Sequence, residues 1–278
     1  MEKISDIEQL KIISNDVRKD IISMIYEAGS GHPGGSLSAT EMLVALFFNV
    51  MNHDSRNPED KDRDRFILSK GHCCPAYYSV LARTGYFDVD ELMTFRKLNS
   101  RLQGHPDKSK LPILETSTGS LGQGLSISAG IAFSLRLDGL NSKVYCMLGD
   151  GELDEGQVWE SLATIKKYSL NNLIMIVDNN NIQLSGTTHD IKDLESLNQK
   201  FLAFGYEVLE CDGHNIADIL EILNKAKSLS DAGKNVILIS HTIKGKGVSY
   251  MENTAEWHGK APNKEQYEIA MKELDANG

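Results

Sequence analysis

The stretch "VYCMLGDGELDEGQVWESLATIKKYSLNNLIMIVDNNN", residues 144–181, places an amphipathic segment between two apolar runs. The apolar runs predict β-strands at residues 143–148 and 173–177, because they are rich in β-branched and other apolar side chains. Apolar residues spaced three or four apart predict a helix between them, at residues 155–168. A strand, a helix and a second strand of these lengths indicate a parallel sheet.

The rest of the chain repeats this alternation. Three further strands are predicted at residues 65–69, 206–210 and 235–240. The other predicted helices are a first one that ends before Gly29 and further ones at residues 38–49, 75–83, 125–137, 194–204 and 216–228. The pattern indicates an α/β fold with a mostly parallel sheet and helices on both faces, in one domain over residues 1–278. Only a tail at about residues 263–278 lies outside the alternation.

The composition excludes several classes of protein. There are 39 acidic residues against 29 Lys and Arg, and the net charge of −10 would repel a nucleic-acid backbone. The four cysteines lack the spacing of a zinc site, so we expect reduced, buried thiols and a cytoplasmic protein. The N-terminus has no apolar signal region and no apolar run is long enough to span a bilayer, so we expect neither a targeting segment nor a membrane partner.

Polar side chains directly follow three of the predicted strands. His72, Asp150 and Asn180 each come just after a strand, and the carboxyl ends of parallel strands meet at one edge, where ligands bind. Gly149 and Gly151 allow a ligand to approach the backbone, and the helix N-terminus beyond them attracts phosphate. A diphosphate bound there would need a divalent cation, and Asp150 is a suitable ligand for Mg²⁺.

The loops after these strands also have simpler explanations. The acidic turn at residues 152–155 is compatible with a solvated turn, and Asp154 is a candidate N-cap of the following helix. The asparagine run at residues 179–181 and the backbone carbonyl of Ile182 offer oxygens to a cation, but such runs also form ordinary turns at strand ends. Glu152 has no predicted chemical role.

Four histidines occur in glycine-containing loops rather than on the face of a helix or strand. They are His32, His72, His105 and His258. Imidazole donates and accepts protons near neutral pH, so these side chains are candidate acid, base or hydrogen-bonding groups for sugar chemistry. Any one of them could be structural, but the set is harder to explain in that way. Of the other four histidines, His53, His189 and His214 are expected at the surface. His241 fits either a structural or a functional role.

Seven motifs carry a family resemblance. They are "SGHPGGSLS" (residues 30–38), "LSKGHCCPAYYSVLARTGYF" (68–87), "GHPD" (104–107), "ETSTGSLGQGLS" (115–126), "GDGELDEGQVWES" (149–161), "DNNNIQLSG" (178–186) and "TIKGKGVSYMENTAEWHGKAP" (242–262). In this order they resemble the N-terminal, diphosphate-binding part of a transketolase. The likeness covers essentially the whole chain, and transketolases use thiamine diphosphate and Mg²⁺.

The resemblance implies roles for the residues at matching positions. Asp150, Asn180 and the carbonyl of Ile182 would bind Mg²⁺. The implied cofactor contacts are Gly151 and His72 for the diphosphate, the backbone of Gly119 and Leu121 for the aminopyrimidine, and Lys244 and His258 near the diphosphate and the reacting carbons. His32 and His105 would bind donor hydroxyls and help to move protons. Glu155 resembles an acid that links two cofactor sites at a subunit interface.

The resemblance also implies a second chain. In transketolases, the glutamate that activates the cofactor lies on a pyrimidine-binding domain that has no counterpart in these 278 residues. The chain is therefore either a fragment of a longer transketolase or one subunit of a split transketolase. We favour the second and expect activity only with a C-terminal partner subunit, in an α2β2 heterotetramer. The implied reaction transfers a two-carbon ketol unit from a ketose phosphate to an aldose phosphate, as in the pentose phosphate pathway.

Two alternatives stay open from the sequence. One is another thiamine diphosphate enzyme, either of the 1-deoxyxylulose-5-phosphate synthase type or the α subunit of a 2-oxo acid dehydrogenase. The motifs "SKGH" and "STGSLGQG" argue against both. The other is a non-catalytic regulatory or interaction subunit. It predicts loss of the ligand residues, yet Asp150, Asn180 and the four loop histidines are present.

Overall fold

Five strands form one central sheet in the computed structural model, which describes residues 3–276. The strands are β1 (Arg65–Leu68), β2 (Val144–Gly149), β3 (Leu173–Asn179), β4 (Glu207–Asp212) and β5 (Val236–His241). Their order across the sheet is β1-β2-β3-β5-β4, and every neighbouring pair is parallel. The predicted α/β fold is confirmed, and each predicted strand is present.

Helices cover both faces of this sheet. The α-helices are α1 (Ile7–Ala28), α2 (Pro33–Ser38), α3 (Thr40–Ala45), α4 (Cys74–Arg83), α5 (Gln123–Leu137), α6 (Gly156–Lys167), α7 (Thr188–Lys192), α8 (Leu197–Ala203), α9 (Ile216–Asp231) and α10 (Lys264–Ala276). A π-helical turn lies at Leu46–Val50, and 3₁₀ turns lie at Gly71–Cys73, Val89–Thr94, Gly151–Asp154 and Ala255–His258. Among residues 3–276, no helix is both long enough and apolar enough to cross a membrane.

The strands divide the core in two because successive side chains point to opposite faces of a sheet. On β2, Tyr145 and Met147 belong to the core that includes α1, α3, α4 and α9. Val144, Cys146 and Leu148 belong to the core on the other face, with α5 and α6. A strand buried on both faces is apolar at nearly every position, which is why the strands were easy to locate in the sequence.

The glycine-rich segment at residues 29–36 is partly helical, contrary to the prediction of a loop. α2 begins inside it at Pro33, which occupies the first helical turn. Proline suits this position because its φ is already helical and its missing N–H would have no partner in the helix. The helix predicted at residues 38–49 is correspondingly divided among α2, α3 and the π-helical turn.

The C-terminal helix packs against the first helix. Tyr267 on α10 stacks on Tyr26 of α1, with ring centroids 4.3 Å apart. The carbonyl of Leu274 accepts a hydrogen bond from Asn15 Nδ2 at 2.8 Å. The tail therefore joins the packing around α1, although it lies outside the strand–helix alternation.

Candidate active site

The carboxyl ends of β1, β2 and β3 lie side by side, so the segments that follow these strands meet at one edge of the sheet. Asp150 and Asn180 line a cavity of about 770 Å³ at this edge, together with Ile182. His72 follows the neighbouring strand β1, in the turn Gly71–Cys73. The predicted strand-end residues therefore come from adjacent strands of the same edge.

Asp150 is buried at the end of β2, with its carboxylate facing backbone donors. Oδ1 accepts from the N–H of Gly151 at 2.7 Å, and Oδ2 accepts from the N–H of Asn181 at 2.5 Å. Burial and the neighbouring Asp178 carboxylate raise the pKa of Asp150 to about 6. A cation nearby would stabilise the ionised form of this carboxylate, which is the condition for a metal ligand.

The asparagine turn after β3 brings further oxygens to this cavity. Asn181 adopts the left-handed conformation, with φ 61°, that such a turn needs. Asn180 Oδ1 accepts from the N–H of Ile182 at 3.2 Å, and the Ile182 carbonyl accepts from Lys244 Nζ at 2.8 Å. One of the predicted metal oxygens thus already contacts a cationic group, so this carbonyl faces a position that accommodates positive charge.

A buried ion pair beneath the cavity was missed by the sequence analysis. Lys70 and Asp178 form a salt bridge, and each side chain is 2% exposed. Asp178 also accepts hydrogen bonds from Ser38 Oγ at 2.6 Å and Thr242 Oγ1 at 2.5 Å. Burial opposes both charges, but each charge outweighs that effect on the other, so the pKa of Lys70 is raised and the pKa of Asp178 is lowered. The sequence signal that could have indicated this pair is a single charged residue inside an apolar strand, as for Asp178, or directly after a predicted one, as for Lys70.

The four loop histidines come together in space. Ring centroids are 5.3 Å apart for His32 and His72, 5.0 Å for His72 and His258, 5.6 Å for His32 and His258, and 6.1 Å for His32 and His105. The four rings arrive from four separate segments of the chain. This clustering favours a shared role for the set over four unrelated structural roles.

Burial and neighbouring cations keep the clustered imidazoles neutral. Burial and the Arg96 guanidinium lower the pKa of His32 to about 4, and burial and Lys244 lower the pKa of His258 to about 3. Burial also holds the pKa of His72 well below its ordinary value. Near neutral pH the cluster therefore consists of hydrogen-bonding groups rather than cations.

Arg96 and Lys244 determine which nitrogen carries the proton in two of these rings. Arg96 Nη2 lies 3.4 Å from His32 Nδ1, and Lys244 Nζ lies 2.9 Å from His258 Nδ1. Burial lowers the pKa of Lys244 to about 8, so it is still largely protonated near pH 7. Guanidinium and ammonium groups can only donate, so each Nδ1 accepts and each ring carries its proton on Nε2. Arg96 was not among the predicted site residues, because nothing in its local sequence indicates this contact.

Two glycines allow the site loops to approach one another. A Cβ on Gly71 would lie 2.7 Å from the backbone N of Gly119, and a Cβ on Gly119 would lie 2.7 Å from the His105 ring. Gly119 also has φ 133°, which favours glycine. The segment that contains Gly119 and Leu121 therefore packs directly against the turn that carries His72.

The acidic turn after β2 contains carboxylates in different environments. Glu152 is only 2% exposed, whereas Glu155 is exposed at the N-cap of α6. The prediction that Asp154 caps this helix is wrong, and its carboxylate instead accepts from Gln183 Nε2 at 3.4 Å. A solvated turn thus describes Glu155 but not Glu152.

Two histidines predicted at the surface are partly buried instead. His53 stacks on Tyr86, and His214 Nε2 accepts a hydrogen bond from the N–H of Ile243 at 2.8 Å. His189, in contrast, is exposed as predicted. The four cysteines are free and buried, also as predicted.

The parallel sheet and the oxygen and imidazole groups at its carboxyl edge define an α/β domain suited to a phosphorylated cofactor. Residues 9–277 match the family model described as "Transketolase, thiamine diphosphate binding domain". The chain therefore belongs to the transketolase family.

Relatives of two lengths show which part of a transketolase this chain represents. The apulose-4-phosphate transketolase subunit of Phocaeicola vulgatus is 40% identical over 269 residues, which cover 96% of this chain and 94% of that protein. The 6-deoxy-6-sulfo-D-fructose transketolase subunit SqwG of a Clostridium species is 40% identical and covers 95% of this chain and 96% of that protein. The crystal structure of transketolase from Campylobacter jejuni superimposes with a TM-score of 0.89 at 32% identity.

That match covers 97% of this chain but only 43% of the Campylobacter jejuni chain. The present chain thus spans nearly all of the relatives named as subunits and less than half of the longer transketolase. The prediction of an N-terminal subunit of the split transketolase type is confirmed.

Proposed function

We propose that this chain is the cofactor-binding subunit of a two-chain enzyme that moves a two-carbon ketol unit from a ketose phosphate to an aldose phosphate. The observation that carries the proposal is the position of Lys244. Its ammonium group contacts both the Ile182 carbonyl and His258 Nδ1, at 2.8 Å and 2.9 Å. A group of oxygens suited to a cation and a cluster of neutral histidines are therefore parts of one site.

Thiamine diphosphate and Mg²⁺ are the proposed cofactors. Mg²⁺ prefers hard oxygen ligands, and Asp150, Asn180 and Ile182 supply a carboxylate, an amide and a backbone carbonyl. Within the described residues, no three His, Cys, Asp or Glu side chains are grouped to hold a metal ion. The proposed magnesium site therefore depends on this mixed set of oxygens.

Close backbone packing supports the proposed cofactor contacts. A Cβ on Gly151 would lie 2.7 Å from Gln183 Cβ, so glycine allows the end of β2 and the segment after β3 to pack closely. Gly151 and His72 are proposed to contact the diphosphate, and the backbone of Gly119 and Leu121 to contact the aminopyrimidine. The 3₁₀ turn Gly151–Asp154 also begins here.

The histidine cluster is proposed to bind the sugar and to handle its protons. When bound, thiamine diphosphate would supply a nucleophilic carbon and a ring that takes up the electrons of the breaking carbon–carbon bond. His32 and His105 are proposed to bind donor hydroxyls, and His258 to lie near the reacting carbons. Because His32 and His258 carry their protons on Nε2, each can donate a hydrogen bond to a sugar oxygen from that nitrogen.

A C-terminal subunit with the pyrimidine-binding domain is the proposed partner, in an α2β2 assembly. α5 supports a protein partner because it is apolar overall, yet Ile127 is 36% exposed and Leu137 is 72% exposed. A helix that is apolar on all sides is normally buried. Glu155, exposed at the start of the adjacent helix α6, is proposed to reach the same interface.

Sugar phosphates are the proposed substrate class. The two relatives of matching length are named for apulose-4-phosphate and 6-deoxy-6-sulfo-D-fructose, so family members of this length differ in their sugar. A place in the pentose phosphate pathway and a cytoplasmic location therefore stay predictions for this chain.

Reconstitution tests the two-chain proposal. The purified chain is mixed with thiamine diphosphate and Mg²⁺, with and without the co-expressed C-terminal subunit, and ketol transfer between sugar phosphates is measured. We expect turnover only when both chains are present. Full activity of the isolated chain would contradict the proposal, and turnover of pyruvate as donor would indicate a different thiamine diphosphate enzyme.

Replacement of the proposed metal ligand tests the cofactor site. Asp150→Ala should abolish the Mg²⁺-dependent binding of thiamine diphosphate, measured by calorimetry on the two-chain complex. Asp193→Ala is the matched control, because this exposed acid lines the same cavity and is not a proposed ligand. If Asp150→Ala binds the cofactor as the wild type does, Asp150 is not a metal ligand.

A further inference from the structure

Glu152 is a buried carboxylate that joins three separate segments at the carboxyl edge of the sheet. Its Oε1 accepts hydrogen bonds from Ser69 Oγ and from the N–H of Gly122, the latter at 2.9 Å. Its Oε2 accepts from the N–H of Gly149 at 3.2 Å. The side chain therefore connects the end of β1, the start of α5 and the end of β2.

Each connected segment adjoins a proposed cofactor contact. Ser69 lies three residues before His72, Gly122 directly follows Leu121, and Gly149 directly precedes Asp150. The site would therefore change in three places if these segments moved apart. This step rests on the proposed function, because the cofactor contacts themselves are part of that proposal.

The segments around Glu152 are closely packed. A Cβ on Gly124 would lie 2.3 Å from Ser69 Oγ, so α5 and the end of β1 are in direct contact. Gly122 is the N-cap of α5 and has φ 81°, a conformation that favours glycine. The carboxylate thus accepts from a backbone N–H at a helix N-terminus, where negative charge is stabilised by the helix dipole.

We propose that Glu152 is a positioning residue whose carboxylate holds the three cofactor-contacting segments in register before the cofactor binds. An ionised carboxylate is the side chain best suited to this position, because it can accept from all three donors and offers no donor of its own. An amide of the same size would direct its NH₂ group at one of the two glycine N–H groups. Glu152 touches neither cofactor nor substrate in this proposal, and it acts through the segments that do.

Asp64 provides a matched control at the opposite edge of the sheet. It is 5% exposed, and its carboxylate accepts from the N–H of Asn52 at 2.8 Å and the N–H of Lys143 at 2.7 Å. Asp64 thus resembles Glu152 in burial and in the kind of donor, but it lies away from the proposed site. Glu152→Gln and Asp64→Asn are equivalent changes of carboxylate to amide.

Amide hydrogen exchange on the full chain without cofactor tests the positioning role directly. In Glu152→Gln we expect exchange about tenfold faster at residues 119–124 and 149–152, because one donor there loses its acceptor. The same segments should be unchanged in Asp64→Asn. Equal exchange at these segments in Glu152→Gln and wild type would overturn the proposal, whether or not the chain binds thiamine diphosphate.

Cofactor affinity supplies the second readout. Calorimetry on the two-chain complex, at a temperature where every variant is folded, should show thiamine diphosphate bound about tenfold more weakly by Glu152→Gln in the presence of Mg²⁺. Asp64→Asn should bind as the wild type does. Wild-type affinity in Glu152→Gln would overturn the positioning role and leave the proposed function intact, whereas a wild-type complex that binds no thiamine diphosphate would contradict the proposed function itself.

A milder variant keeps the test decisive if Glu152→Gln does not fold. Ser69→Ala removes one of the three donors and leaves the carboxylate in place. We expect faster exchange in the same segments and weaker binding of thiamine diphosphate. Each change should be about two- to threefold, because one hydrogen bond from a neutral donor is lost. If Ser69→Ala shows wild-type exchange and wild-type affinity, the role of the Ser69 contact is overturned. If Glu152→Gln is unfolded as well, Glu152 is a general stabilising residue and not a positioning residue.

Discussion

The two edges of the sheet bury polar groups in different ways. At the carboxyl edge one buried charge is paired directly with another, in the salt bridge of Lys70 with Asp178. At the amino edge the buried carboxylate of Asp64 accepts only from backbone N–H groups. Three side chains that precede strands also carry a buried polar atom with no hydrogen-bond partner among residues 3–276, namely Ser142, Asn172 and Asn235.

This difference shows where the molecule can hold charge in its interior. Lys70 and Asp178 stabilise each other, so the removal of one partner leaves an uncompensated buried charge. At the amino edge Asp64 has two backbone donors, so it depends less on any single partner. Parallel strands direct their following loops to the carboxyl edge, which places the charged groups and the proposed cofactor site on the same side.

Removal of one member of the buried ion pair should give the largest effect. Lys70→Met leaves the Asp178 carboxylate buried without its cation and should lower the free energy of unfolding by about 3–5 kcal/mol. Urea denaturation followed by circular dichroism measures this loss. The double variant Lys70→Met/Asp178→Leu should recover part of it, because no unpaired charge remains. A loss below about 1 kcal/mol in Lys70→Met would show that the pair behaves like an exposed one.

The equivalent disturbance at the amino edge should be smaller and should not reach the site. Asp64→Asn replaces one acceptor oxygen with an amide donor that faces a backbone N–H. We expect the free energy of unfolding to fall by about 1–3 kcal/mol, with no change in the affinity for thiamine diphosphate. Urea denaturation and calorimetry check the two quantities, and weaker cofactor binding would show that the two edges are coupled.

Acidification should destabilise the protein through the carboxyl edge, where the buried histidines lie. Histidine in an unfolded chain titrates near 6.5, but the pKa of folded His32 is about 4 and that of folded His258 is about 3. At pH values between the folded and the unfolded pKa, the unfolded chain binds more protons than the folded chain. The free energy of unfolding therefore decreases as pH falls from about 6.5 toward 4. Each histidine contributes at most about 1.4 kcal/mol per pH unit, and less here because both rings are partly exposed.

Urea denaturation at about pH 7, 6 and 5 measures this dependence. His258→Gln should flatten the dependence of the unfolding free energy on pH. His189→Gln, at an exposed position, should leave it unchanged. An equal slope in wild type and His258→Gln would mean that His258 is not responsible for the acid sensitivity.

The smallest effect is expected for an exposed charge pair at the carboxyl edge. His241 Nε2 lies 2.7 Å from Glu210 Oε2, with side chains 49% and 42% exposed. Glu210→Gln should change the free energy of unfolding by less than about 0.5 kcal/mol, because solvent screens such a pair. A loss of about 2 kcal/mol or more would extend the strong charge coupling from the interior to the exposed rim.

Local patterns in the chain were sufficient for most of the architecture. The strands are apolar on both sides and bounded by turn residues, so β2 and β3 could be located from composition and length. The start of α2 at Pro33 was missed, because a proline within a glycine-rich segment favours a loop until tertiary packing selects the helix. The prediction that Asp154 caps α6 was wrong because a 3₁₀ turn precedes α6 and moves the N-cap to Glu155.

The sequence alone determined the α/β class and marked Asp150, Asn180 and the four loop histidines as candidate site residues, because hydrophobic periodicity and position after a strand are local properties. It did not reveal the pairing of Lys70 with Asp178, which are 108 residues apart, or the approach of Arg96 to His32. Nor did it assign a role to Glu152, whose three donors lie on segments that meet only in the folded chain. Buried charges and their partners depend on desolvation and long-range packing, and only the tertiary structure decided these.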